Sequence, residues 1–157
     1  MPNMISRFFV RRRMTVMALA LTTLGSASAR AQSGDGATYK LVVNAQNPVS
    51  SLTREEASRL FLKKVTMWKN AKPVLIVDQR ASSPVRETFT KEIHGRQVAS
   101  VTSYWQQMIF SGRAVPPAEK SSDAEVAAFI AANPEAIGYV AAGADLPAGV
   151  KVVALTK

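Results

Sequence analysis

Residues 73–78, PVLIVD, constrain the fold more than any other stretch of the chain. Val74, Leu75, Ile76 and Val77 follow one another with no polar residue between them. A strand with one wet face alternates apolar and polar residues, so an unbroken run suits a strand covered on both faces. Pro73 stands at the first position, where a strand tolerates a missing N–H. Covering both faces needs helices on either side, and the next residues supply one. Ser83 followed by Pro84 reads as a helix start, a hydroxyl N-cap and then proline at N1. Val85, Phe89 and Ile93 mark one face of that helix, and Gly95 ends it.

The same alternation runs through the rest of the chain. Residues 39–44 (YKLVVN), 136–141 (AIGYVA) and 150–155 (VKVVAL) read as strands. Thr53 and Glu56 form a capping box ahead of a helix over 54–62, with Ala57, Leu60 and Phe61 at helical spacing. A third helix spans 98–111, with Val101, Tyr104, Trp105, Met108 and Ile109 on one stripe. Ser122 and Glu125 form a second capping box, and Val126, Phe129 and Ile130 give that helix its buried face before Asn133-Pro134 stops it. Residues 45–52, the basic connector 63–72 with Trp68, and 113–121 with Pro116-Pro117 read as loops. The expected fold is α/β, a mainly parallel sheet flanked by about four helices. The expected core is Leu60, Phe61, Phe89, Trp105, Ile109, Phe129 and Ile130, with Val74 to Val77 in a central strand.

The amino end has a different character. Arg7, Arg11, Arg12 and Arg13 precede an uncharged apolar run, MTVMALALTTL over residues 14–24, and then small residues. Ala27-Ser28-Ala29 and Ala29-Arg30-Ala31 are two candidate cleavage sites. This order is that of an export signal, and the run is well short of the roughly 20 residues that span a bilayer. The expected organisation is a signal peptide over 1–31, a polar flexible linker over 32–38 and one α/β domain over 39–157. The expected location is the periplasm, with no membrane embedding after cleavage. Zero cysteines exclude a lipoprotein anchor, a disulfide and thiolate chemistry. Five basic residues fall in the signal, leaving fifteen against eleven acidic ones, a net +4 in place of +9. The high charge of the full chain therefore belongs partly to export and gives no ground for a nucleic-acid partner.

Few residues carry chemistry. His94 is the only histidine, and it sits at the end of a helix with no second metal ligand of its kind. Neither G-x-S-x-G, a P-loop nor G-x-G-x-x-G occurs, so the reading is no enzyme and no cofactor. One constellation stands out, residues 80–86, RASSPVR. It follows a buried strand and opens a helix, where ligands bind in open α/β sheets and where free N–H groups favour anions. Ser82 and Ser83 offer hydroxyls, and Arg80 and Arg86 offer charge and bidentate geometry for an oxyanion. The same residues also read without a ligand: Ser83 caps the helix, Ser82 lies in a loop, and both arginines are solvated.

Three stretches in order, NPVSSLTREEASRLFLKKVTMW (47–68), PVLIVDQRASSPVRETFTKEI (73–93) and NPEAIGYVA (133–141), resemble the phosphate-binding solute receptors of ABC transporters. The resemblance covers about residues 41–140. It implies a single lobe of a periplasmic-binding-protein-like fold, the other lobe of the family's pair being absent from this chain. It implies phosphate or a related small oxyanion as ligand, with Ser83 at the position of the family's loop serine beside the Ser82, Arg86 and Arg80 already singled out, and the membrane component of an ABC transporter as partner. The family's S-G-T loop reads Ser83-Pro84-Val85 here, so one amide donor is lost at Pro84. The family's acidic residue two positions before that serine is Ala81, and the glycine after its I-F pair is Lys63. A second functional class is an envelope interaction domain that keeps the lobe fold without the ligand.

Overall fold

A computed structural model describes residues 38–157. The expected export signal over 1–31, and residues 32–37 of the expected linker, lie outside the described residues. The elements run β1 (Tyr39–Asn44), β2 (Ser51–Thr53), α1 (Arg54–Phe61), β3 (Leu75–Gln79), α2 (Pro84–His94), α3 (Val98–Phe110), β4 (Ala118–Lys120), α4 (Asp123–Ala132), β5 (Ala136–Ala141) and β6 (Val150–Thr156).

The helix starts follow from local chemistry. Thr53 Oγ1 accepts from the Glu56 N–H at 3.1 Å, and the Glu56 carboxylate accepts from the Thr53 N–H at 2.9 Å, so the first capping box closes both ways. Ser83 caps α2 with Pro84 at N1, and Gly95 ends it in the left-handed region at φ 62°. The second box is shifted by one residue. Ser122 Oγ accepts from Glu125 N–H, but the Glu125 carboxylate accepts from the Ser121 N–H rather than from Ser122.

The six strands form one sheet in the order β2-β6-β1-β5-β3-β4. β1 pairs antiparallel with β5 and β6, while β2–β6, β3–β5 and β3–β4 are parallel. Five strands thus share one direction, and β1 alone runs against them. β3 is next to the edge rather than central, because the three-residue β4 is its only outer neighbour. β2 and β4 lie in stretches the sequence reads as loops, since three residues are too few to show a period.

Both faces of the sheet are covered. Leu41, Val43, Ile137 and Tyr139 pack with Leu60 and Phe61 of α1 and Phe89 and Ile93 of α2. On the other face Val42, Val77 and Val140 pack with Val126 and Ile130 of α4. At Gly138 in β5 the layers approach so closely that a Cβ would lie 2.7 Å from Val77 Cγ1 and 3.1 Å from both Ile130 Cδ1 and Val126 Cγ1. Gly138→Ala should therefore cost about 1–3 kcal/mol by overpacking. A urea midpoint equal to wild type would contradict this packing.

α3 departs from expectation. It packs through Val101 and Trp105 on Leu62, in a small cluster apart from both sheet faces. Met108 in its last turn still packs against that cluster, but Ile109 and Phe110 stay outside it, 51 % and 91 % exposed. Ile109 is thus not a core residue. Phe129 is only half-buried, with the Lys120 ammonium 5.3 Å from its ring centre.

Candidate functional site

The carboxyl end of β3 delivers Asp78 and Gln79 to the start of α2, and both are buried. β4 pairs beside them, with Asp78 opposite Glu119 in the register. Arg86 sits in the first turn of α2. Helical side chains lean toward the N-terminus, which directs its guanidinium back to the strand ends. There Nη2 lies 3.2 Å from Asp78 Oδ2, and Nη1 donates to Glu119 Oε1 at 2.5 Å and to the Gln79 carbonyl. Arg86 is 3 % exposed, so it is not a solvated arginine.

The neighbours complete a network. The Tyr139 hydroxyl and the Gln79 N–H both donate to Asp78 Oδ1. Ser83 Oγ donates to Gln79 Oε1 at 2.5 Å and accepts from the Arg86 N–H at 3.4 Å. Gln79 Nε2 donates to Asp123 Oδ1 at 2.7 Å and to the Tyr139 carbonyl at 3.2 Å. One guanidinium thus serves a cluster holding three carboxylates. Burial raises the Asp78 pKa, and Glu119 adds to the rise, against the pull of Arg86, Tyr139 and the Gln79 N–H. Burial also works against the Arg86 charge, but Asp78 and Glu119 outweigh it and raise its pKa. The Tyr139 hydroxyl is pushed up by burial and by Asp78.

The structure therefore brings Ser83 and Arg86 together, and leaves Ser82 and Arg80 exposed at the rim of the same corner. The Arg80 backbone is fixed: its N–H donates to the Lys120 carbonyl and its carbonyl accepts from the Ser83 N–H. Asp78, Gln79, Glu119, Asp123 and Tyr139 are members of the cluster that sequence reasoning missed. Asp78-Gln79 carried a signal, a polar pair closing an apolar strand. Glu119 carried none, because its strand is too short to read.

His94 has a partner after all. Its Nδ1 lies 2.9 Å from Ser58 Oγ, tying α2 to α1. Burial, and then the positive charges of Arg96, Arg86 and Lys64, push its pKa down to about 4. Burial and these cations favour the neutral imidazole, which the Ser58 hydroxyl holds between α1 and α2. Because the folded pKa lies below the unfolded value near 6.5, the unfolded chain takes the proton first as pH falls. Stability should drop between about pH 6.5 and pH 4, by up to about 3 kcal/mol, with no contribution above that window. His94→Gln should flatten this part of the pH profile in urea melts. An unchanged slope would contradict the burial of a neutral imidazole.

Residues 39–156 match the family model described as a PBP superfamily domain. The chain belongs to that family. Among solved structures it is similar to an ABC-type phosphate transport receptor from Vibrio cholerae, at 21 % identity and a TM-score of 0.60 over 75 % of this chain. It is similar also to a phosphate ABC transporter substrate-binding protein with bound phosphate from Clostridium perfringens, at 20 % identity and a TM-score of 0.60 over 75 % of this chain. The match covers 46 % of the first receptor and 44 % of the second, so this PBP superfamily domain spans less than half the length of either. No curated protein matches the chain. At these identities the likeness establishes the fold, a periplasmic-binding-protein-like α/β lobe. Among the described residues, no helix is long and apolar enough to cross a membrane.

Proposed function

We propose that this domain is an exported, periplasmic receptor-type lobe that takes phosphate or a related small oxyanion at the β3–α2 corner. It would serve the membrane component of an ABC transporter, without catalysis and without a cofactor. The observation that carries the reading is the corner itself, where the end of β3 opens within a few residues into the Ser83-capped start of α2. The first-turn N–H groups of a helix lack intrahelical partners and sit at its positive end, which favours an anion. Exposed Ser82 and Arg80 flank that end, Ser83 caps it, and Arg86 stands behind it. The fold shared with phosphate receptors supports the same reading.

A single lobe leaves its ligand wet, so each charged hydrogen bond is screened. The Ala81 position also lacks an acceptor for a phosphate proton, which leaves little basis for choosing phosphate over sulfate. Binding is expected in the millimolar to high micromolar range, about 4–6 kcal/mol, for both anions. Calorimetric titration of the purified protein should show comparable binding of phosphate and sulfate that weakens with added sodium chloride. Absence of heat with either anion at tens of millimolar would reject the reading. One observation favours the second class, an interaction domain without ligand: Arg86 is already committed to Asp78 and Glu119.

A further inference from the structure

The geometry points to Glu119 as a tethered competitor for the oxyanion, a carboxylate of the chain's own that occupies Arg86 until ligand displaces it; this rests on the receptor reading above. The two carboxylates on Arg86 are not equivalent. Asp78 is buried, and its Oδ1 is fixed by both the Tyr139 hydroxyl and the Gln79 N–H. Glu119 is held differently. Its side chain is 49 % exposed, it stands on the three-residue edge strand β4, and its carboxylate is tied to the guanidinium at Nη1 alone.

A carboxylate on a guanidinium is chemically close to the ligand proposed here, a planar or tetrahedral oxyanion with acceptor oxygens. Glu119, itself half-exposed, shares Nη1 with the Gln79 carbonyl, whereas buried Asp78 holds Nη2. Displacing Glu119 alone would free one N–H of Nη1, while the Gln79 carbonyl on Nη1 and Asp78 on Nη2 keep Arg86 anchored. With Glu119 in place, the guanidinium faces two carboxylates, and Asp123 adds a third charge through Gln79. An arriving anion meets an occupied donor.

A tether holds its end group at an effective concentration in the millimolar range or above, so it outcompetes a free ligand of similar intrinsic affinity. Removing the tethered group should strengthen binding by about tenfold or more. The same contact makes the corner selective against weakly bound anions, since only a ligand that gains more on Arg86 than the Glu119 carboxylate does can replace it.

The test is titration of inorganic phosphate into wild type, Glu119→Ala, Glu119→Gln and Glu87→Gln, read by amide shifts in isotope-labelled protein. Glu119→Gln keeps the shape of β4 if the alanine variant disturbs that edge. Glu87, exposed in the first turn of α2, controls for a simple loss of negative charge near the corner. The inference predicts that both Glu119 variants bind phosphate at least about tenfold more tightly than wild type and Glu87→Gln. Tight binding by the variants with none by wild type also supports it, while removing the wild-type protein from the receptors. Equal binding by wild type and the Glu119 variants overturns the inference and leaves the receptor reading standing. An equal gain in Glu87→Gln overturns it as a nonspecific charge effect. Absence of binding in every protein overturns both.

Discussion

Phe89→Ala should lower the stability of this domain by about 3–5 kcal/mol, the range for deleting a large aromatic side chain from a packed core. Phe89 is 2 % exposed and is the centre of an aromatic cluster. It stacks on Tyr139, with ring centres 3.8 Å apart and planes at 6°. Phe61 meets it edge-on at 4.7 Å, Tyr39 at 5.3 Å and His94 at 5.6 Å. These partners come from β1, α1, α2 and β5, so no local shift closes the cavity. The stacked Tyr139 also holds Asp78 through its hydroxyl, and loosening the ring would disturb the corner as well. Urea denaturation followed by circular dichroism measures the loss. A cost below about 1 kcal/mol would mean that α2 does not pack on the sheet through this face.

Arg86→Met is the second large effect, expected at about 3–5 kcal/mol, because removing one partner of a buried pair strands the other. Methionine replaces much of the packing volume but leaves Asp78 buried beside Tyr139 with no counter-charge. The companion variant separates charge from packing. Asp78→Asn in the Arg86→Met background removes the stranded carboxylate, and it should recover a good part of the loss. Equal stabilities for the single and double variants would show that Arg86 acts by packing alone. A single variant as stable as wild type would show that the network does not form.

Most of the architecture was legible because its signals are local. The apolar run before Asp78, the Thr53–Glu56 capping box, the Ser83-Pro84 start and the Gly95 stop each follow from a handful of neighbouring residues. The unread strands β2 and β4 are three residues long, and only pairing with distant β6 and β3 makes them strands. Ile109 has the right spacing for a buried stripe. What α3 packs on is decided elsewhere, by Leu62 at the end of α1, which covers Val101 and Trp105 but not Ile109.

Lys63 illustrates how a departure from the family pattern becomes intelligible. It takes φ 51°, a left-handed conformation that glycine adopts without strain, and its ammonium donates to the Val115 carbonyl at 2.9 Å. The candidate site was half legible. Residues 80–86 mark the corner, but the groups engaging Arg86 lie elsewhere: Asp78 and Gln79 just before that stretch, and Glu119 on the unread strand. The sequence leaves Arg86 as either ligand donor or solvated charge, and the fold gives it a third condition, buried and paired.

Amide-resolved titration with phosphate tests the central claim most directly, that the β3–α2 corner is where an oxyanion is taken. In isotope-labelled protein, the Ser82, Ser83, Val85 and Arg86 amides should shift together and saturate in the millimolar range or below. Signals from the far side of the sheet, such as Ala127 and Ile130 of α4, should stay fixed. Corner amides that remain still at tens of millimolar phosphate, or shifts that appear only elsewhere, would contradict the account.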